Sequence, residues 1–408
     1  MKTLSILLAA LLFGAPADAP SDPAPSAGDL LYGRVHTLDD GTYEGRIRFG
    51  GDEEAAWADL FNAVRDDNPW TSYLTEEQLQ EDRTLEIFGF RVATWKADVN
   101  LGRPFAVRFG DIASIETRRR RFWVTLKSGR EVVLDRYEAD DLADGVRVWD
   151  PQRGTVDIGE WDIRKIEFLQ APDANGSQSP ARLHGTVKTE NGSFTGFLQW
   201  NREQGLLTDA VRGREGGRYS ELPFEAIRSI APAGEKSAHL VLHDGTEVTL
   251  NDIPETAGRH RGIYVDDARF GRVSVAWEAV IGVDLTPGGP GPTYQDFPAG
   301  SNLSGSVTTA SGDVLSGRLV FDLDEAETIE SLDAPTGVID YLIPFYLVSE
   351  IRPSADPYSG VTVRLRSGES LVLERAGDLD DRNGGILVFG AGAAPTYVPW
   401  AEVRGVQL

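Results

Sequence analysis

The chain has 408 residues, more than one hydrophobic core usually holds, so we expect two or more domains. Hydrophobic residues make up 41% and charged residues 25%, a composition that excludes a disordered polyelectrolyte. The 64 acidic and 40 basic residues give a net charge of −24, which repels phosphate backbones and argues against a nucleic-acid partner. The 44 glycines favour an all-β fold, because tight turns between short strands use glycine.

The first residues are typical of a signal peptide. Lys2 gives a positive start, residues 4–13 are apolar, and Ala17-Asp-Ala19 offers small residues for cleavage. The apolar run is too short to span a bilayer, and no later run reaches the length of a membrane helix. We therefore predict a signal peptide over 1–19, a linker over 20–30 and a periplasmic or secreted protein without membrane insertion. The chain has no cysteine, so disulfides are excluded.

A hairpin pattern occurs three times along the mature chain. Residues 31–35, 183–187 and 303–307 all read Leu-x-Gly-x-Val, and glycines follow each segment at similar distances. Alternating apolar residues around a glycine turn predict two strands joined as a hairpin. We interpret the chain as three copies of one β unit.

Each copy contains the same two-part pattern. A second hairpin contains a leucine, Leu126, Leu242 or Leu365, with a glycine three residues later and another leucine eight residues later. Each half closes on an aromatic residue followed by apolar residues three and six positions later. We predict that these aromatic and apolar positions are buried. The closing groups are Phe109, Ile112 and Ile115; Phe224, Ile227 and Ile230; Phe345, Val348 and Ile351; Trp277, Val280 and Val283; Trp400, Val403 and Val406; and, with shifted spacing, Trp161, Ile163 and Ile166.

Each half resembles the small barrels of the SH3-like and Sm-like class, which have about five short strands. The triplicated pattern also resembles exported bacterial proteins built from tandem small barrels. This resemblance implies three tandem modules, each a pair of SH3/Sm-like β-barrels. The basic and asparagine residues with which Sm proteins bind RNA have no match here, so the resemblance implies no RNA-binding activity.

The predicted modules are separated by segments rich in proline, glycine and serine. We expect the modules to be separable, with proteolytic cleavage near Pro180 and Gly289. The predicted boundaries are module 1 over 31–170 with an insertion over 50–100, a linker over 171–181, module 2 over 182–286, a linker over 287–301, and module 3 over 302–408.

Only module 1 has an insertion, and its pattern differs from the rest of the chain. Trp57, Leu60, Phe61 and Val64 stand at helical spacing. The segment 75–78 reads as a capping box for a second short helix, and 84–95 alternates as a strand. The insertion therefore predicts short helices and is the place where a module-specific function could have been added.

The candidate binding residues lie in and beside this insertion. The run Arg118, Arg119, Arg120 and Arg121 is the only basic cluster, and it suits an anionic polymer or acidic protein. The other reading of this run is a solvated joint between the two halves. Trp57 and Trp70 offer either an exposed aromatic surface or side chains buried against the first barrel.

The sequence predicts no catalytic, cofactor-binding or metal-binding residues. Acidic residues gather at turns, and residues 378–384 have only part of a calcium-loop pattern, so turn formation is the favoured reading. We predict an exported, non-enzymatic binding or scaffold protein whose partner is an envelope protein or anionic polymer. The alternative is a carboxylate-dependent hydrolase acting on glycan or peptide in the envelope. The oligomeric state stays open.

Overall fold

The fold was analysed in a computed structural model of the chain. It describes residues 27–408, except 51–52, 67, 76–77, 79–83, 88–89, 95–103, 119, 137–139, 173–179, 235, 254–261, 357–358 and 393. The predicted signal peptide, nearly all of the linker over 20–30 and most of the linker over 171–181 lie outside the described residues. Within the described part of the chain, no helix is long and apolar enough to cross a membrane.

Module 1 contains one eight-stranded antiparallel sheet and two strand pairs. The sheet has the order β11-β10-β2-β1-β12-β7-β8-β9, and the pairs are β3-β6 and β4-β5. The strands are β1 (Tyr32–Thr37), β2 (Thr42–Phe49), β3 (Leu60–Val64), β4 (Thr84–Ile87), β5 (Phe90–Thr94), β6 (Pro104–Arg108), β7 (Ile112–Arg118), β8 (Arg121–Leu126), β9 (Glu131–Asp135), β10 (Val146–Asp150), β11 (Gly154–Ile158) and β12 (Ile163–Phe168).

Module 2 repeats this arrangement with one difference at the edge of its sheet. Its order is β19-β18-β17-β22-β13-β14-β20-β21, with β15-β16 as a separate pair, and the strand pair β26-β25 of module 3 continues the sheet beyond β21. The strands are β13 (His184–Thr189), β14 (Gly192–Trp200), β15 (Ala210–Glu215), β16 (Arg218–Pro223), β17 (Ile227–Pro232), β18 (Ala238–Leu242), β19 (Glu247–Leu250), β20 (Ile263–Asp267), β21 (Gly271–Val275) and β22 (Gly282–Leu285).

Module 3 has the same eight-stranded sheet, in the order β29-β28-β27-β32-β23-β24-β30-β31. Its strand pair has joined module 2, so the two modules share a continuous sheet and a continuous hydrophobic core. The strands are β23 (Ser304–Thr309), β24 (Val314–Val320), β25 (Ser331–Pro335), β26 (Ile339–Pro344), β27 (Val348–Pro353), β28 (Val361–Leu365), β29 (Ser370–Leu373), β30 (Ile386–Phe389), β31 (Thr396–Val398) and β32 (Val403–Gln407).

Helices are short in the described residues. One α-helix, α1, spans Asp140–Ala143, and the others are 3-10 helices of three to five residues. Six of these 3-10 helices start the closing group of a half-module and lead directly into a buried strand. The 3-10 helices are Ala27–Asp29, Pro69–Tyr73, Phe109–Asp111, Glu160–Asp162, Phe224–Ala226, Trp277–Ala279, Tyr294–Asp296, Phe345–Leu347, Gly377–Leu379 and Trp400–Glu402.

The all-β prediction is confirmed, whereas separate barrels are not found. A barrel made from the first half of module 1 would need its last strand, β7, to pair with its first strand, β1. Instead β12 of the second half lies between them and pairs with both. The halves therefore interleave in one sheet, and none of the sheets traced through the described residues closes into a barrel.

The predicted helix at the start of the insertion is wrong. Leu60, Phe61 and Val64 belong to β3, whose counterparts in modules 2 and 3 are β15 and β25. The true extra segment lies between β3 and β6, and it contains the 3-10 helix Pro69–Tyr73 and the pair β4-β5 rather than one strand. The capping-box hydrogen bonds between Thr75 and Gln78 are present, but most of the residues that would follow in that helix lie outside the described ones.

The buried positions follow the repeat, with two exceptions among the tryptophans expected in the core, Trp123 and Trp161. The phenylalanines of the closing groups, Phe109, Phe224 and Phe345, and the isoleucines six residues later are buried in equivalent places, as predicted. Trp200, Trp277 and Trp400 are also buried, and Trp123 is half-buried. Trp161 is 58% exposed, because Glu160 rather than Trp161 occupies the first position of that 3-10 helix.

Candidate functional site

Each module contains the same turn after the second strand of its first hairpin. The strand ends in a buried aromatic residue, Phe49, Trp200 or Phe321, whose backbone N–H donates to a carbonyl further along the turn at 2.8–2.9 Å. Five residues beyond that carbonyl stands an acidic residue, which we name the turn acid of the module. The turn acids are Asp59, Asp209 and Glu330.

The turn acids close their own turns through backbone hydrogen bonds. Asp59 Oδ2 accepts from the N–H groups of Ala55 and Ala56 at 2.9 and 2.8 Å. Glu330 Oε2 accepts from Ala326 and Glu327 at 2.6 and 2.8 Å, and Asp209 Oδ2 accepts from Leu206 at 2.9 Å. A carboxylate that caps successive N–H groups fixes the conformation of the loop.

Every turn acid also contacts an arginine from another module. Arg272 of module 2 lies between Asp59 of module 1 and Asp266 of its own module, with N···O distances of 3.3 and 2.8 Å. Arg48 of module 1 reaches Asp209 of module 2 at 3.5 Å. The turn acids therefore link the modules as well as closing the turns.

The strongest of these links joins modules 1 and 3. Glu330 receives Arg65 at 2.8 Å and Arg130 at 3.1 Å, and Arg65 also contacts Asp324 at 2.7 Å. Burial alone would raise the pKa of Glu330, but the two guanidinium groups hold it below its usual value. Arg65 and Glu330 are both buried, so their attraction offsets the cost of removing the two charges from water only if the geometry of the pair is kept.

The predicted linker over 287–301 packs against module 1. The ring of Phe297 lies on Gly110, where an added Cβ would approach the ring to 2.3 Å, so only glycine fits. Lys127 Nζ donates to the carbonyls of Tyr294 and Phe297 at 2.5 and 2.8 Å. Burial lowers the pKa of Lys127 to about 8. This segment, which we name the strap, is an integral part of the module 1 surface rather than a free hinge.

A cavity of about 500 Å³ lies where the three modules and the strap meet. Its wall is largely apolar, and its charged groups are already paired. Arg108 donates to the Asp111 carboxylate and to the hydroxyl oxygen of Tyr346, each at 2.8 Å, while Arg272 is held by Asp59 and Asp266. The apolar lining residues include Leu60, Phe297, Pro298, Ile329, Leu342 and Pro344.

Two arginines of the run, Arg118 and Arg121, are paired with acidic residues. Arg118 binds Glu116 at 2.8 Å and lies over the ring of Trp123, and Arg121 binds Asp66 at 2.5 Å. Arg120 is exposed, and Arg119 lies outside the described residues. The paired side chains fit the interpretation of a solvated joint between β7 and β8.

The two candidate tryptophans lie at packed positions. Trp57 is completely buried, its Nε1 donates to the carbonyl of Gly28 at 2.9 Å, and its ring packs on Tyr294 of the strap. Trp57 is therefore a core residue and presents no binding surface. Trp70 is half-buried against Phe389 of module 3, and Arg318 lies over its ring at 5.3 Å. Neither tryptophan lines the cavity.

The acidic turns are explained by local pairing. Asp380 binds the Nε of Arg382 at 2.6 Å and Asp267 binds the Nε of Arg269 at 2.9 Å. Throughout the described ranges, no group of three or more histidine or acidic side chains is arranged to hold a metal ion. In the partial calcium-loop pattern, Asp380 is therefore paired with Arg382, and Asp378 accepts from the backbone N–H of Asp333 at 2.6 Å.

Comparison of the chain with protein-family models, with curated proteins and with solved structures gives no match. The inference about function therefore depends on the geometry. Sequence reasoning missed the turn acids and the cavity. The turn acids have a signal that could have been found, because each follows the last aromatic residue of its hairpin at nearly the same distance.

Proposed function

We propose that the protein is an exported, non-enzymatic binding protein of the bacterial envelope and that the central cavity is its binding site. The observation that carries this proposal is the position of the cavity, which modules 1, 2 and 3 and the strap line together. Apolar concave sites with a few oriented polar groups are where proteins usually hold ligands. The links at the turn acids support a site that is formed before the partner arrives.

The chemistry of the cavity favours an apolar segment of an envelope protein over an anionic polymer. Its two arginines are already neutralised, Arg108 by Asp111 and Arg272 by Asp59 and Asp266. An incoming anion would have to compete with carboxylates held at 2.8–3.3 Å, whereas an apolar side chain only displaces water from the wall.

The module architecture fits this proposal. We regard each module as derived from two SH3-like or Sm-like halves that have exchanged strands, and the equivalent 3-10 helices before β7 and β12 support this origin. Ligand pockets occur preferentially at the interfaces between domains. The cavity between the modules is such a place.

The experiment compares capture of envelope proteins by the purified wild-type chain with capture by a variant whose cavity is blocked by a larger side chain. Ala268 lies exposed at the cavity rim, so Ala268→Trp should block entry. Ala233 is exposed in the turn after β17, so Ala233→Trp adds the same surface away from the cavity. Wild type and Ala233→Trp should capture the same protein, and Ala268→Trp should lose it. Equal capture by all three would reject the cavity as the site.

Export is tested separately by fractionating cells that express the full chain. The mature protein should be recovered from the periplasm or the medium, with an N-terminus near residue 20. Recovery of the protein in the cytoplasm with residues 4–13 still attached would reject export.

A further inference from the structure

One sheet edge of module 2 is extended by module 3, and the equivalent edge of module 1 is open. β21 pairs antiparallel with β26, with Arg272 opposite Leu342 and Ser274 opposite Asp340. The counterpart of β21 in module 1 is β11, which follows the same kind of hairpin turn and pairs with β10 in equivalent register. As far as the described residues extend, β11 pairs only with β10.

A glycine at the start of each edge strand shows that the two edges have the same shape. Gly271 has a φ of +83°, and a Cβ there would lie 2.4 Å from Pro344 Cδ and 2.6 Å from the Leu342 carbonyl oxygen. The close approach of β26 therefore requires glycine. Gly154 has a φ of +80°, and nothing lies within 4 Å of its would-be Cβ. The space that β26 fills at β21 is empty at β11.

The strand that would fit this space is also present and unused. β16 is the counterpart of β26, and both strands end in proline before the phenylalanine of the next 3-10 helix, at Pro223 and Pro344. The corresponding strand of module 1, β6, ends in Arg108 and lacks the proline. In the structure as described, β16 pairs only with β15, and its Tyr219 is 66% exposed.

The third module offers no equivalent edge. The position of Gly271 is taken by Ala394, two residues before β31, because Val398 of β31 occupies the register position of Val275 in β21. Among the described strands, β11 is thus the open edge with the required glycine, and β16 is the strand with the required proline that pairs along one edge only. They belong to different sheets and do not pair with each other within the chain.

We infer that β16 of one copy pairs antiparallel with β11 of a second copy, in the register that β26 takes on β21. Val156 would then lie opposite Ser220 and Asp157 opposite Tyr219, with Pro223 next to Gly154. Ala276 N donates to the Val338 carbonyl at 2.9 Å, which shows that alternate N–H groups of β21 point toward β26. The equivalent outward N–H groups of β11 are those of Thr155 and Asp157.

The charge of the chain makes this association dependent on salt. Each copy has a net charge of −24, so two copies repel each other at low ionic strength. Backbone hydrogen bonds between strands are nearly insensitive to salt. Added salt should therefore strengthen self-association, in contrast to binding of an oppositely charged partner.

The test is sedimentation equilibrium of the full chain over a range of concentrations and salt. Wild type should show a mass above one chain that rises with concentration and salt. Thr155→Pro removes the outward N–H of β11, and Tyr219→Pro removes the corresponding N–H of β16, so each should weaken association about tenfold or more. The controls Thr155→Ala and Tyr219→Ala keep the backbone donors and should associate like wild type.

Mixing the two proline variants identifies the interface. The Thr155→Pro chain keeps an intact β16 and the Tyr219→Pro chain keeps an intact β11, so each alone should associate about tenfold or more weakly than wild type while the mixture forms a one-to-one dimer at wild-type strength. Circular dichroism checks the fold, and Thr155→Lys and Tyr219→Lys replace any proline variant that fails to fold. A monomeric wild type under all conditions, proline or lysine variants that associate like wild type, or a monomeric mixture of folded variants would each overturn the proposal. None of these outcomes bears on the cavity.

Discussion

The link at Glu330 and the link at Asp209 both join modules through the same type of turn, but they differ in strength. Glu330 receives two arginines at 2.8 and 3.1 Å, and Asp209 receives one at 3.5 Å. Both acids cap their own turns through backbone N–H groups. The difference shows that the turn is the repeated element, whereas the strength of the link depends on how many arginines of module 1 reach the turn acid and at what distance.

The largest effect should follow from removing the turn acid of the stronger link. Glu330→Ala leaves Arg65 and Arg130 without their shared partner in a buried site, and it should lower the free energy of unfolding by about 4 kcal/mol. Asp209→Ala loses the equivalent turn hydrogen bond and only one long ion pair, so it should cost about 1 kcal/mol. Chemical denaturation measures both variants. Equal losses would mean that the turn matters and the inter-module arginines do not.

The strap is a second link between modules 1 and 3. Removing its main contact should have the next largest effect on the free energy of unfolding. Phe297→Ala removes a buried ring that packs on Gly110 and should lower the free energy of unfolding by about 3 kcal/mol. Gln295→Ala, at an exposed position of the strap, is the matched control and should change stability by less than about 0.5 kcal/mol. Cleavage near Gly289 in the Phe297 variant but not in wild type would show directly that the ring holds the strap.

The sequence allowed the repeat, the all-β class and the core positions to be predicted, because each depends on local periodicity. Phe224 and Ile230 could be placed in the core since glycine turns and apolar alternation fix which face of a strand is buried. Strand exchange between the halves could not be predicted. The pairing of β12 with both β1 and β7 depends on contacts between residues far apart in sequence, which periodicity does not encode.

The candidate site was predicted poorly for a related physical reason. Charge and aromatic content suggested the arginine run and two tryptophans, but whether Trp57 is exposed depends on the strap, which is distant in sequence. Helical spacing of Leu60, Phe61 and Val64 also fits a short strand with additional packing on its second face. Residues that line a cavity between modules carry no local pattern, so Leu342 and Tyr346 gave no signal.

A smaller effect should distinguish the turn of module 3 from the equivalent turn of module 2 by how the free energy of unfolding depends on pH. Glu325 of module 3 and Gln204 of module 2 occupy the same turn position, and both have a buried side-chain oxygen without a hydrogen-bond partner. The pKa of Glu325 is raised by burial and by the carboxylates of Asp378, Asp324, Asp322 and Glu330, while Arg65 is the cation on that side. The folded protein therefore keeps a proton that the unfolded chain releases above about pH 4.3, and stability falls as pH rises.

Exchanging these two side chains tests the explanation. Glu325→Gln should be more stable than wild type at pH 8, on the order of 1 kcal/mol, and the difference should vanish near pH 4. Gln204→Glu should do the opposite and lose stability only as pH rises. The free energy of unfolding measured between pH 4 and pH 8 decides the matter, and variants that follow the wild-type curve in parallel would contradict it.

The smallest change in stability should come from the arginine run, which contrasts with the buried Arg65 at the Glu330 link. Arg118 and Arg121 are exposed and each contacts one carboxylate, so their ion pairs are screened by water and salt. Changing Arg118, Arg120 and Arg121 together to serine should alter the free energy of unfolding by less than about 0.5 kcal/mol and leave capture of the envelope partner unchanged. Arg65→Ser is the matched comparison, because it removes the buried cation that contacts both Glu330 and Asp324, and it should cost several-fold more. If the triple variant kept its stability but lost the partner, recognition would lie at this joint between β7 and β8 rather than in the cavity.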